Sequence, residues 1–379
     1  MILQTTIFPE QATEMAWHID LLFWFITIVT TAVSLGIYAA VFGFCVVYRR
    51  KEGEAVQTPR IVGSHRLELL WTIAPLAVFL VMFAWGAWVY NMAMHAPDDV
   101  PEVYVVGKQW MWKVQYPGGQ RVILGANSAD YAKDIGGEAQ FEGVMVLPVG
   151  KPVKVIVTSE DVIHDFGIPA FRSKIDAVPG RYVTTWYKPT KTGEYHIFCD
   201  QYCGTNHSLM VGKVRVVEQA EYEAWLEGTY KTGPGKNSVD GSLAHQGRQL
   251  FMKLNCIQCH NGEAPRAPLL EDVHKSLRPF KGGTTAFADE NYLRESIRKP
   301  RAKVREGWDP IMPAYGTTGD NALSEDDLVK VIAYIKSLRK GETPNLTQNW
   351  VPPIGSDTGP AAEDAKTPAG PKSAAEEKK

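Results

Sequence analysis

The chain has 379 residues with 40 basic and 42 acidic side chains, giving a net charge of −2 at neutral pH. That balance excludes both the basic footprint of a nucleic-acid binder and a dominant acidic tail, and the length exceeds one ordinary domain. A mean hydropathy of −0.17 is that of a soluble protein, yet it averages over two long apolar runs near the N-terminus.

Those runs, at about 17–48 and 69–90, each exceed the ~20 apolar residues that cross a bilayer core, so residues 1–95 are read as a transmembrane hairpin. The loop between them carries Arg49, Arg50, Lys51, Arg60 and Arg66, whereas residues 1–16 have no Lys or Arg and include Glu10 and Glu14. Positive charge stays on the cytoplasmic side, so both termini, and everything after about residue 91, are expected outside the cytoplasm. No basic segment precedes the first run, and no cleaved leader is expected. Ser34 and Cys45, inside the first span, are read as packing between helices.

From Val103 the pattern changes to short β-branched and aromatic runs parted by Gly and Pro. Residues 103–106, 112–116, 143–147, 153–158, 182–187, 193–198 and 211–217 read as strands. Their spacing points to a sandwich or barrel, placed at 96–227 and ending in a helix over 218–227. Late in this unit, Cys199, Cys203, His207 and Met210 bring two thiolates, an imidazole and a thioether into one loop. Soft sulfur with imidazole is the donor set copper prefers for electron transfer, and His164 is placed to complete it. Two thiolates for two histidines is the stoichiometry of a dinuclear centre with shared sulfurs. On spacing alone, a disulfide between Cys199 and Cys203 fits equally well. His196 and His245 are given no role.

Residues 228–241, rich in Gly, Lys, Ser and Asn, form a linker. A small helical unit follows at 242–345. Its last helix opens at Ser324, with Asp327 three residues on, and repeats Leu328, Val331, Ile332, Ile335 and Leu338 at helical spacing. Near its start, Cys256, Cys259 and His260 form the C-x-x-C-H attachment motif of a c-type haem: two thiols one turn apart add to the two vinyl groups, and the adjacent imidazole reaches the iron. Met312 is the candidate for the opposite face, and Met252 lies too close in sequence to reach it easily. The competing reading of the motif is a redox dithiol beside a chance histidine. The Ala, Pro, Glu and Lys tail at 346–379 is expected to be disordered.

The loop from Cys199 to Met210, with the runs 161–164 and 176–181, resembles subunit II of cytochrome c oxidase. The resemblance extends over nearly everything up to residue 220 and implies two transmembrane helices and a cupredoxin-like Greek-key β-barrel. With an all-α class I cytochrome c domain added, the chain is similar to the caa3-type oxidases. In that family Cys199 and Cys203 would bridge the two coppers of CuA, His164 and His207 would each cap one, and Met210 would be a weak ligand. Gln201 would bind through its backbone carbonyl. It stands where the family has a glutamate whose side chain helps hold magnesium against the catalytic subunit, which leaves that ion in doubt. Trp110 matches a tryptophan that passes electrons toward copper, although Met111 replaces the usual tyrosine; plain packing of the barrel against its partner is the alternative. Glu68 matches a glutamate near the mouth of a proton channel, but a helix N-terminus stabilises a carboxylate without any such role.

The resemblance further implies an electron-input subunit of a bacterial inner (cytoplasmic) membrane oxidase, with its soluble domains on the periplasmic side. Cytochrome c or another respiratory donor would reduce the haem, and CuA would pass the electron to oxidase subunit I. That partner, assembled with subunit III, would reduce oxygen to water and pump protons. The linker would act as a tether, without a tight interface between the soluble units. Three other readings stand beside this one: the input subunit of a nitric oxide reductase, a membrane-tethered cytochrome c with a disulfide-bonded spacer, and a quinol oxidase subunit II. The last lacks the copper ligands, all of which are present here.

Overall fold

The computed structural model describes residues 8–49, 63–125, 143–227, 242–261, 265–319 and 321–339. Arg50, Lys51 and Arg60 of the inter-helix loop, the linker at 228–241 and the tail at 346–379 lie outside the described residues. Both apolar runs are helices, α1 (Glu14–Val47) and α2 (His65–Met94), and each starts earlier than hydropathy alone marks. Thr13 caps α1 by accepting a hydrogen bond from the Ala16 amide. At 1.5 Å per residue the helices are about 51 and 45 Å long, so their ends pass beyond a hydrocarbon layer of ~30 Å. Phe42 and Phe83 are 73% and 74% exposed, and faces this apolar require lipid or partner helices to cover them.

The start of α1 and the end of α2 both meet a β-unit. The Ala12 amide donates to the Ala170 carbonyl at 3.0 Å, Arg172 pairs with the buried Asp20 at 2.7 Å, and the Trp186 indole donates to the Met92 carbonyl at 2.9 Å. The Val47 end of α1 and the His65 end of α2 therefore lie at the end of the hairpin away from the β-unit.

Among the described residues the β-unit is a cupredoxin-like sandwich of two five-stranded sheets. The first comprises β1 (Glu102–Lys108), β2 (Met111–Gln115), β3 (Arg121–Gly125), β5 (Val153–Ser159) and β8 (Val183–Tyr187), in the order β3-β2-β1-β5-β8. The second comprises β4 (Val144–Pro148), β6 (His164–Ile168), β7 (Ser173–Ala177), β9 (Gly193–Cys199) and β10 (Gly212–Val217), in the order β4-β10-β9-β6-β7. Val105, Trp112, Val114, Phe166 and Ile197 fill the space between the sheets, with the Trp112 and Phe166 rings edge to face at 5.0 Å. Helix α3 (Gln219–Leu226) closes this unit by seating Trp225 on Tyr116.

The C-terminal unit is built from α4 (Leu243–Lys253), α5 (Glu290–Arg298) and α6 (Glu325–Ser337). A short hairpin, β11 (Leu277–Pro279) with β12 (Thr285–Phe287), is added to the expected helices. Ser324 caps α6 by accepting from the Asp327 amide, as its spacing predicts.

The two soluble units are in contact, which differs from the expected loose tether. Lys113 and Gln115 of β2 both bond Asp326 of α6, at 3.2 and 3.0 Å, and Lys336 of α6 pairs with Glu102 of β1. Burial opposes charge on Glu102 and Glu290, but the Lys336 ammonium, helped at Glu290 by a hydrogen bond from His274 and at both by Lys154, outweighs it and holds both carboxyls below their ordinary range. A carboxyl depressed in this way contributes its full stability above its ordinary value and loses it as the pH falls. The contact is expected to be fully formed at neutral pH and to loosen progressively below about pH 4.5. The fraction of short distances between spin labels on β2 and α6, followed in mild denaturant, should fall between about pH 5 and pH 3, and a fraction independent of pH over that range would contradict this.

Candidate metal and haem centre

In the second sheet β6 runs antiparallel to β9 with Phe166 opposite Cys199, which brings His164, at the start of one strand, to Cys199, at the end of the other. The chain then turns through Gly204, at φ +123°, into a short 3-10 turn (His207–Leu209) and the buried Met210. Cys199 Sγ lies 3.9 Å from His164 Nδ1 and 3.7 Å from Cys203 Sγ. Cys203 Sγ lies 3.5 Å from His207 Nδ1 and 3.9 Å from Met210 Sδ, and the Gln201 carbonyl is 3.3 Å from Cys199 Sγ. All six residues singled out in the sequence thus converge on the two sulfurs: His164 and the Gln201 carbonyl reach Cys199, and His207 and Met210 reach Cys203.

Both cysteines are free, and 3.7 Å is far beyond the ~2.05 Å of a disulfide. Two sulfurs at that separation are close enough to share a metal at bonds of about 2.3 Å, the length of a zinc–thiolate bond. Each sulfur also has its own imidazole, so the donor set fits two soft ions with bridging thiolates. Burial opposes ionisation of both thiols, but the His164 ring brings Cys199 down, while Cys199 in turn raises Cys203.

Three residues without an assigned role in the sequence support this cluster. Asp161 accepts from the amides of Gln109 and Val162 at 2.8 and 2.7 Å and lies 2.9 Å from His164 Nε2. Burial pushes its carboxyl up, but the His164 ring and those amides outweigh that and hold it at about 2. An ionised Asp161 accepts a hydrogen bond from Nε2–H and leaves Nδ1, the nitrogen facing Cys199, to supply its lone pair to a metal. Gln109 donates through Nε2 to the Cys203 carbonyl at 2.7 Å. The His164 ring packs directly on Gly107: a methyl there would meet His164 Cδ2 at 2.9 Å and the Trp112 ring at 3.2 Å. Gly107→Ala is expected to tilt His164 and cut copper affinity by ~10–100-fold with haem content unchanged, as a copper titration would show.

In the C-terminal unit, Cys256, Cys259, His260 and Met312 line one mainly apolar cavity of about 380 Å³. Leu270, Leu293, Ile297, Val331 and Ile335 form much of its wall. His260 lies with Nδ1 2.7 Å from the Pro268 carbonyl, so Nδ1 carries the proton and Nε2 is left as the ligand nitrogen. Burial lowers the His260 pKa, which keeps the ring neutral for ligation. Tyr315, to which no motif in the sequence points, donates to the Leu254 carbonyl at 2.9 Å and ties the Met312 segment to the attachment turn. The cavity, the paired thiols and the oriented imidazole fit a covalent haem.

Two further expected site residues supply no ligand atom. The Trp110 indole packs on the copper loop at Gly204, where an added methyl would approach it to 3.2 Å. Its buried Nε1 has no partner among the described residues. Glu68 is exposed in the first turn of α2, with Oε2 3.2 Å from His65 Nδ1. Gln201 is exposed and lines a polar hollow with Asp165, Asp176 and Arg181.

Residues 102–217 match the family model described as cytochrome c oxidase subunit II, periplasmic domain, and residues 244–339 match that of cytochrome c. A relative named cytochrome c oxidase subunit 2, from Alkalihalophilus pseudofirmus, is 30% identical over 320 residues, which is 82% of this chain and 84% of the relative. An alternative cytochrome c oxidase subunit 2 from Bradyrhizobium diazoefficiens is 34% identical over 58% of this chain and 83% of its own length. Among solved structures, the periplasmic domain of subunit II of cytochrome oxidase from Bradyrhizobium japonicum shares 39% identity, covering 35% of this chain and 95% of that one, with a TM-score of 0.30.

Proposed function

Because the chain belongs to the cytochrome c oxidase subunit II family and ends in a cytochrome c domain, we propose that it is the electron-input subunit of a haem-copper terminal oxidase. A covalent haem on Cys256, Cys259, His260 and Met312, and a copper pair on His164, Cys199, Gln201, Cys203, His207 and Met210, would supply one-electron chemistry. The observation that carries this reading is the convergence of two free cysteine sulfurs, two imidazoles and a thioether in one chain with a haem cavity.

The protein's own residues do the positioning. Asp161 and the Pro268 carbonyl fix which nitrogen of each ligand histidine carries its proton, so neither ring must reorient when an electron arrives. Burial of Cys199, Cys203 and Met210 keeps water off the sulfurs. Asp20 and Arg172 hold the sandwich over the membrane hairpin, next to where a catalytic subunit I, with subunit III, would lie in a bacterial cytoplasmic membrane. Electrons would come from cytochrome c or another respiratory donor and end on oxygen, with proton pumping, in that partner. Trp110, in contact with the copper loop, and Glu68, at the cytoplasmic end of α2, are assigned to electron transfer and to proton uptake. No magnesium is assigned to Gln201, whose side chain is neutral.

Rapid mixing of the assembled oxidase with a reduced donor tests the relay. Haem reduction should precede copper reduction, and the haem should reoxidise as the copper is reduced. Copper reduction at an unchanged rate after loss of His260 would overturn it.

A further inference from the structure

A sheet with one face in water leaves alternate residues exposed. In β1 and β2 the residues pointing away from the sandwich core, Glu102, Tyr104, Lys113 and Gln115, are all buried, because α5 and α6 cover them. Lys336 contacts both Glu102 and Glu290, the latter at 2.9 Å. Lys154 contacts the same two carboxylates at 3.0 and 3.3 Å. Each soluble unit thus contributes one acid and one base to a closed ring of alternating charge. Any slide of one unit on the other brings like charges together or leaves a buried charge unpaired, and such rings act by penalising other poses more than by adding affinity.

A second contact fixes the same pose. The Asn291 side chain accepts from the Tyr182 amide at 2.8 Å and donates to the Tyr182 carbonyl at 3.0 Å. Beside it, Arg294 donates to the Gly180 carbonyl at 2.8 Å. Asn291 directly precedes Tyr292 and Leu293, which line the haem cavity. On the other side, Pro179 bridges to Ser159, whose hydroxyl reaches Asp161 and so the His164 ring. A continuous run of bonded contacts joins the wall of one site to a ligand of the other.

We infer that Glu102, Lys154, Glu290 and Lys336, with Asn291, are positioning residues that hold the haem cavity in one pose against the copper-binding sandwich, so that internal electron transfer is set by this pose and not by the length of the 228–241 segment. The consequence for electron transfer rests on the relay proposed above; the pose does not.

The test uses the assembled oxidase with two alterations: about ten Gly and Ser residues inserted within 228–241, enough to dilute a free tether, and, separately, Lys336→Glu. Two readouts are taken, hydrogen exchange at the Tyr182 amide and the rate of haem-to-copper transfer at unchanged haem content. The insertion is expected to leave both within about twofold, since a docked unit gains nothing from a longer tether. Lys336→Glu, which places three acids around Lys154, is expected to speed Tyr182 exchange and slow transfer, each at least about tenfold. Transfer that slows several-fold on insertion, or Tyr182 protection indifferent to Lys336→Glu, overturns the inference. If Tyr182 behaves as expected while the unaltered protein shows no haem-to-copper transfer, the pose stands and the relay falls.

Discussion

Replacing Cys203 with serine is expected to remove the copper pair, leave the haem in place and nearly abolish donor-driven oxygen reduction. Cys203 is the hub of the cluster, with its sulfur within 3.9 Å of the sulfur of Cys199, the Nδ1 of His207 and the Sδ of Met210. A hydroxyl keeps the shape but ionises far less readily and is a hard donor, so it cannot bridge two soft ions. Losing a partner outside the ligand sphere of a metal typically costs ~10–100-fold in affinity, and losing a bridging ligand should cost more. The fold should survive, because Cys203 is held by loop contacts rather than by a covalent link. The haem ligands belong to a different unit and are untouched. Metal analysis per haem, with electron spin resonance, checks the result: two coppers and a signal shared over both nuclei would be the unaltered state, and one or none is expected in the variant. Full copper content in Cys203→Ser would mean that the thiolate does not bridge.

The ligands were legible in the sequence because metal chemistry crowds rare residue types into a short loop. Seven of the ten strands of the sandwich were legible as β-branched or aromatic runs. The missing three are β3, β6 and β7, and β6 is the informative one. His164–Ile168 is buried at every position, so it lacks the apolar alternation that marks a strand with one wet face, and Asp165 and Gly167 conceal it further. The ring of charges was equally hidden. Glu102 sits at a position that normally faces water, and its partner Lys336 lies 234 residues away; Lys113, on the same face, likewise reaches Asp326 213 residues on. Only the assembled fold puts α6 over them. Asp161 was visible as part of a run ending at His164, but its bond to Gln109, 52 residues distant, was not. What sequence reading supplies is the identity of donors; what the fold adds is the groups that orient them.

Gly247→Ala should produce the largest loss of stability in the C-terminal unit. Gly247 lies on α4 where it crosses α6, and a methyl there would come within 1.9 Å of the Lys330 carbonyl oxygen and 2.5 Å of its carbon. These are backbone atoms of a helix, so no side-chain rotation relieves the clash, and the two helices must separate. Overpacking of a tight core contact commonly costs about 1–3 kcal/mol, and a backbone clash this close belongs at or beyond the upper end. For a unit of this size that is a drop of roughly 10 °C or more in melting temperature. The displacement would carry a functional cost as well. Phe251, one turn further along α4, packs edge to face on Tyr334 at 5.2 Å and lines the haem cavity beside His260. Moving α4 away from α6 therefore opens the cavity between Phe251 and Val331, and less haem should be attached per chain. Calorimetry of the C-terminal transition, with haem content by absorbance, checks both effects. The copper centre should be unaffected, because its ligands all lie on the sandwich. An unchanged melting temperature would mean that α4 and α6 do not approach as closely as their glycine contact requires.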